Sequence, residues 1–152
     1  MNSSDQFQFL IGSWSSPVSG QPGQGVSGST TFYFELDQKV LIRTSRAEFA
    51  PELGKTEGLV HEDLLVIYQQ PREEKFRAIY FDNEGHIIHY TLVFPEKQPA
   101  VVFESEASET SPWARLVYEA NADGTLGVEF FVGAPGGELL SHVKGILQRD
   151  RP

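Results

Sequence analysis

Four histidines, His61, His86, His89 and His142, and the arginines Arg43, Arg46 and Arg115 set inside apolar runs are the residues of this chain best equipped for chemistry. A catalytic zinc takes three protein ligands and keeps one open position. His61 and Asp63 share strand parity and could reach one ion, but spacing supplies no third ligand, so no metal site is assigned. The plainer reading puts both at a loop-to-strand junction, with His86 at a solvated hairpin edge. His86 and His89 have opposite parity on a strand and point to opposite faces. Adjacent carboxylates such as Glu62/Asp63 and Glu73/Glu74 diverge for the same reason and do not form an acid/base pair. With no cysteine and no Gly-x-Ser-x-Gly elbow, nothing marks a nucleophile. No catalytic residue is assigned, and the chain reads more as a binding protein than as an enzyme.

The arginines say more. Arg43 groups by parity with Leu41 and Phe49, and Arg46 with Val40 and Ile42, so one of the two faces inward in a regular strand. An unpaired buried charge costs several kcal/mol. The inward arginine therefore needs a carboxylate, a tyrosine network or an anionic ligand. Glu35, Glu48, Glu104 and Glu129 are the candidate internal partners, and Arg115 with Tyr118 is the alternative pair. Tyr80 and Tyr90 add hydroxyls. The candidate ligand-binding set is thus Arg43, His61, Tyr80, His89, Tyr90, Arg115 and Tyr118.

These residues need strands to position them. Residues 5–11 suit a short helix with Asp5 as N-cap. From residue 30 the apolar period becomes 2, with strands expected over 30–36, 40–49, 63–69, 75–82, 86–94, 100–106, 113–120 and 126–132. Asn83-Glu84-Gly85 and Asn121-Ala122-Asp123-Gly124 read as tight hairpins. The last segment fits a helical stripe, but a turn at 137–141 followed by a closing strand is preferred. The stretches 15–27 and 50–60 read as irregular loops and candidate lids. Gly23-Gln24-Gly25-Val26-Ser27-Gly28 matches a dinucleotide fingerprint, yet a strand follows it where a helix is required. The expectation is a single all-β domain over 1–152, an antiparallel up-and-down β-barrel of about nine to ten strands with a short N-terminal helix.

Composition narrows the function. A net charge of −9 argues against nucleic acid and against anionic lipid surfaces. No apolar run approaches the roughly 20 residues of a membrane span. The N-terminus lacks the features of a signal peptide, so a cytoplasmic protein is expected. A barrel of more than about eight strands encloses space for a ligand. The expected partner is a small lipophilic or amphipathic molecule in the interior, with a homodimer left open for want of any interface signature.

Gly12-Ser13-Trp14 near the start and Arg149 near the end complete the pattern. In a closed antiparallel barrel the first and last strands are neighbours, and a late arginine can cover an early tryptophan by cation–π contact. On these residues the chain resembles the calycin superfamily, the lipocalins, fatty-acid-binding proteins and related barrels. Its C-terminus, with Gly133-Ala134-Pro135-Gly136-Gly137, Leu140 and then His142 through Arg149, looks most like the nitrobindin-type barrels, and the middle of the chain looks more like uncharacterised calycin-like bacterial proteins. No cofactor is assured by the residues themselves; the nitrobindin resemblance implies haem on His142 and chemistry on nitric oxide or peroxynitrite. Barrels of this class also include isomerases and cyclases that act by shaping a hydrophobic substrate. Gly12, Trp14 and Arg149 are read as structural.

Overall fold

A computed structural model describes residues 3–16, 25–106, 113–135 and 137–151. A 3-10 helix (Ser3–Leu10) leads into ten strands: β1 (Gly12–Ser16), β2 (Gly25–Glu35), β3 (Val40–Phe49), β4 (Leu59–Gln69), β5 (Phe76–Asp82), β6 (Ile87–Val93), β7 (Ala100–Ser105), β8 (Trp113–Ala120), β9 (Leu126–Gly133) and β10 (Leu140–Arg149). Each strand pairs antiparallel with its sequence neighbours, and β1 pairs with both β2 and β10, closing the barrel. The up-and-down barrel expected from the period-2 pattern is the fold observed, and the C-terminal segment is the closing strand. No helix among the described residues is long and apolar enough to cross a membrane.

Several boundaries differ from expectation. The N-terminal helix begins earlier and is tighter than an α-helix, because Leu10 and Phe7 must both turn into the barrel. Strands also extend into the two expected loops: β1 runs to Ser16, β2 begins at Gly25 and β4 begins at Leu59, which places His61 and Asp63 inside a strand. Residues 17–24 of the first loop lie outside the described residues. Gly25 and Gly28 of the glycine-rich run belong to β2, so no helix N-terminus stands beside them for a pyrophosphate.

Closure rests on the residues that sequence spacing singled out. Trp14 lies opposite Arg149 in the β1–β10 register, and the guanidinium sits 4.2 Å from the indole centroid. Arg149 Nη1 also donates to the Ile11 carbonyl at 2.6 Å, and Trp14 Nε1 donates to the Leu10 carbonyl at 2.8 Å. These bonds tie the helix to the seam. Gly12 is needed here: its φ is 126°, and a Cβ would lie 2.5 Å from Arg149 Nη1.

The helix plugs one end. Phe7 packs edge-on against Phe76 and Phe94 at 5.0 and 5.3 Å, and Ser4 Oγ donates to Gln38 Oε1 at 3.0 Å. Inner-wall positions next to the plug (Leu41, Ile67, Leu126 and Leu147) are buried. Along the same strands they give way to Ala47, His61, Val128 and Phe130, which are partly accessible, and Val143 is exposed. The inner wall is buried at the helix end and, among the described residues, more accessible at the other.

Replacing Arg149 with Ala removes a cation–π contact of about 0.5–1 kcal/mol and a hydrogen bond of similar net worth. Urea denaturation is expected to show a loss of about 1–2 kcal/mol at unchanged m-value. Gly12→Ala is expected to cost at least as much, since it combines backbone strain with displacement of the guanidinium.

Candidate functional site

Among largely apolar side chains the inner wall carries one extended polar cluster, beside a separate Thr30–Ser45 hydroxyl pair at 3.2 Å. Arg43 points inward from β3 and is 4% exposed. Its Nη1 donates to the Tyr118 hydroxyl at 3.0 Å, and its Nη2 forms an ion pair with Asp63 Oδ1 on β4. Its Nε has no hydrogen-bond partner among the described residues. Asp63 is the partner that spacing missed. It lies two register positions from Arg43 across β3–β4, the diagonal neighbour on the same face, where Ser45 opposes Asp63 and Arg43 opposes Leu65. The four glutamates expected as partners are elsewhere: Glu48 binds Arg46, Glu104 binds Arg115, Glu129 accepts from Ser141, and Glu35 is exposed beside Val40. Their strand parity is that of the outer wall.

From Asp63 the network runs toward the open end. Asp63 Oδ2 is 3.0 Å from His61 Nε2, and His61 Nδ1 is 3.0 Å from Glu84 Oε1 on the β5–β6 hairpin. Tyr80 contacts His61 Nε2 at 3.2 Å and donates to Asp82 Oδ2 at 3.0 Å. Asp82 also receives His86 Nδ1 at 2.9 Å and the backbone N–H groups of Glu84 and His86. The hairpin turn is made by Gly85 at a φ of 91°, which brings Glu84 and His86 back over β5. Thus His86, read from sequence as a solvated edge residue, is tied into the cluster through Asp82.

Burial and bonding set the protonation states. Burial pushes the Asp82 carboxyl up, but donation from the His86 backbone and ring, the Tyr80 hydroxyl and Glu84 outweighs it and brings it to about 2. Burial and the bond to Asp82 push the Tyr80 phenol well above its usual range. Burial does the same to Tyr90, against the opposing pull of Arg43. Tyr80 and Tyr90 are therefore neutral phenols at physiological pH. Tyr90 is 1% exposed, and its hydroxyl makes no hydrogen bond with any described residue.

Of the sequence-predicted ligand residues, the structure brings Arg43, His61, Tyr80, Tyr90 and Tyr118 to the inner wall. It does not bring His89 or Arg115. His89 alternates with buried Tyr90 and is exposed on the outer wall, and Arg115 alternates with buried Ala114 and Leu116 while bonding Glu104 at 2.5 Å. Arg43, not Arg115, is the partner of Tyr118. His142 is the extra residue of a bulge between Ser141 and Val143; it is exposed, with its ring edge-on to inner-wall Phe130 at 6.3 Å. No group of three or more metal-ligating side chains suited to an ion occurs among the described residues.

Two concavities lie away from the cluster's inner side. One, of about 430 Å³, lies between the helix and the turns near Gln38 and Arg72. The other, of about 480 Å³, is an outer groove across β2–β5 lined by Thr31, Thr44, Leu64 and Phe81. Neither is lined by Arg43, Tyr90 or Tyr118, while Asp63 and Asp82 also border the second. No protein-family model matches the chain, and no curated protein matches it.

Removing Asp63 strands a buried guanidinium. Asp63→Ala is expected to lose about 3–5 kcal/mol by urea denaturation, and the Arg43→Met/Asp63→Leu double variant to recover most of it. The Asp82 carboxyl is lower in the folded chain than its unfolded value near 3.9, so its contribution is complete above that value and disappears as pH falls toward 2. An Asp82→Asn variant is expected to show a shallower fall in stability across that acid window.

Proposed function

We propose that the barrel binds one small amphipathic molecule in its interior, admitted through the end opposite the helix. The observation that carries this reading is the polar cluster of Arg43, Asp63, Tyr118, His61 and Tyr80 on a largely apolar inner wall, with Arg43 Nε left without a hydrogen-bond partner among the described residues. A buried donor left unpaired costs about 1–3 kcal/mol, which a bound acceptor returns. Phe130, Val128 and Ile88 supply partly accessible apolar surface for the rest of the molecule. A mainly apolar concavity with a few convergent polar groups is the usual form of a small-molecule site. The Gly12/Trp14/Arg149 seam and the ten-strand meander support a calycin-like assignment.

Nile red, an uncharged lipophilic dye, is expected to bind saturably with a blue-shifted emission. Val143→Trp, placed at an exposed inner-wall position, is expected to weaken it about tenfold or more without altering the far-UV spectrum. Undiminished binding in that variant would place the dye outside the barrel.

His142 supports a second reading. Its imidazole has no hydrogen-bond or ion-pair partner among the described residues, and it stands at the end opposite the helix against an aromatic ring. His142 is the residue that would hold haem, and bound haem would supply the chemistry on nitrogen–oxygen species. A ferric-haem titration is expected to give a saturable Soret shift that His142→Ala abolishes. An equal shift in the variant removes this reading.

A further inference from the structure

Across β2–β6 the register lines up Tyr33, Ile42, Val66, Ile79 and His89 in one row on the outer wall and Thr31, Thr44, Leu64, Phe81 and Ile87 in the next. These side chains face outward, since they alternate with buried Phe32, Leu41, Arg43, Leu65, Ala78 and Tyr90. Neither row holds an Asp, Glu, Lys or Arg, and Tyr33, Leu64, Phe81 and Ile87 are 37–55% exposed. The bordering rows do hold charge, Arg46 and Glu62 on one side and Glu35 and Arg77 on the other. On the far wall Arg115, Glu119, Glu129 and Lys144 break the outward rows of β8–β10. We propose that the uncharged face pairs with the same face of a second copy of the chain, about a two-fold axis that runs along the rows and between them. The proposal is independent of the interior-binding reading.

The face has the size for this partner. Strands lie about 4.8 Å apart and alternate residues about 7 Å apart, so the two rows cover about 24 by 14 Å. With one polar row on each side the face reaches about 700 Å², close to the roughly 800 Å² per partner of a stable interface. An apolar centre inside a polar rim is the usual anatomy of such a contact. Two copies of a chain with net charge −9 repel at most angles of approach, and they meet with least repulsion on a face that carries no charge.

Charge also selects the axis. In a two-fold pair the same patch is used by both copies, so whatever residue i meets, the reverse contact is made as well. With the axis along the rows, the Arg46/Glu62 border of each copy lies over the Glu35/Arg77 border of the other. Arg46 then comes within one strand of the second copy's Glu35, and Glu62 within one strand of its Arg77. With the axis along β4 instead, Glu62 meets Glu62, and like charges oppose the contact. Shape favours the first arrangement too. It sets Tyr33 and Ile42 of each copy over Thr31 and Thr44 of the other, the small residues that line the outer groove of about 480 Å³.

The experiment is sedimentation velocity of the full chain from about 1 to 100 µM. Wild-type protein is expected to run as a reversible dimer with a Kd in the micromolar range or tighter. Ile87→Glu and Phe81→Lys, at exposed outward positions, are expected to weaken the dimer about tenfold or more with an unchanged far-UV spectrum. Ile146→Glu, exposed on β10, is expected to leave it intact. Arg46→Glu and Glu35→Arg each set like charges across the axis and are expected to weaken the dimer several-fold. An equimolar mixture of the two is expected to recover wild-type affinity, because each Arg then meets a Glu. A wild-type chain that stays monomeric at the highest concentration would overturn the proposal and leave the face to a different partner. A dimer that survives both Ile87→Glu and Phe81→Lys would overturn it by placing the contact elsewhere. Loss of the dimer in those variants with no recovery in the mixture would overturn the axis direction.

Discussion

A guanidinium sealed inside an apolar barrel is the constraint to which the rest of the interior answers. Arg43 is almost entirely withdrawn from water, and a charge in that position persists only with an opposite charge and hydrogen bonds around it. Asp63 supplies the charge and Tyr118 an acceptor. Asp63, itself nearly buried, then requires a partner for its second oxygen and finds His61. His61 reaches Glu84, Tyr80 reaches Asp82, and Asp82 gathers the hairpin's N–H groups. One buried charge on β3 thus organises side chains on β4, β5 and β8 and the β5–β6 turn. The outer-wall arginines behave differently. Arg46, Arg77 and Arg115 each meet a glutamate at 2.5–2.8 Å where solvent screens the pair.

Closure gives this network its setting. Because β1 must meet β10, the Trp14/Arg149 stack and the helix that hangs from it lie at the same end, and Phe7 fills the space that ten strands leave there. The three strained residues Leu36, Asp37 and Gln38, all at positive φ, form the turn that Ser4 grips, so backbone strain at that turn is offset by docking of the helix. A barrel plugged at one end has a direction. The polar cluster begins where the wall is still dry, at Arg43, and climbs to where it is wet, at Glu84.

Period and parity carried the fold. Alternation along 40–49 places Arg43 inside, and the spacing of Gly12-x-Trp14 and Arg149 anticipates the seam. The misses share a cause: parity assigns a face but not a neighbour. Spacing pairs Asp63 with His61 as a metal ligand and with Glu62 as a carboxylate pair, although a carboxylate of inward parity on the next strand is the signal for a partner of Arg43. Glu35, Glu48, Glu104 and Glu129 were considered because their charge is right, but parity places each of them outside. His89 follows the same rule, since Tyr90 beside it is the buried residue of that pair. Register decides such matters. It depends on turn geometry at Leu36–Gln38 and on the bulge at His142, neither of which has a sequence mark as plain as Asn-Gly.

A buried charge has a cost that an apolar wall would not carry, since neighbouring inner positions tolerate Leu65, Leu92 and Leu116 without any polar atom at all. Arg43 Nε adds to that cost, being buried without a hydrogen-bond partner among the described residues, as Arg77 Nε is on the outer wall. What the charge provides in return is order: Asp63 and Tyr118 take their places from Arg43, and His61 takes its place from Asp63. An all-leucine wall would be cheaper to bury, but it would leave β3, β4, β5 and β8 with no directional contact to hold them in one arrangement.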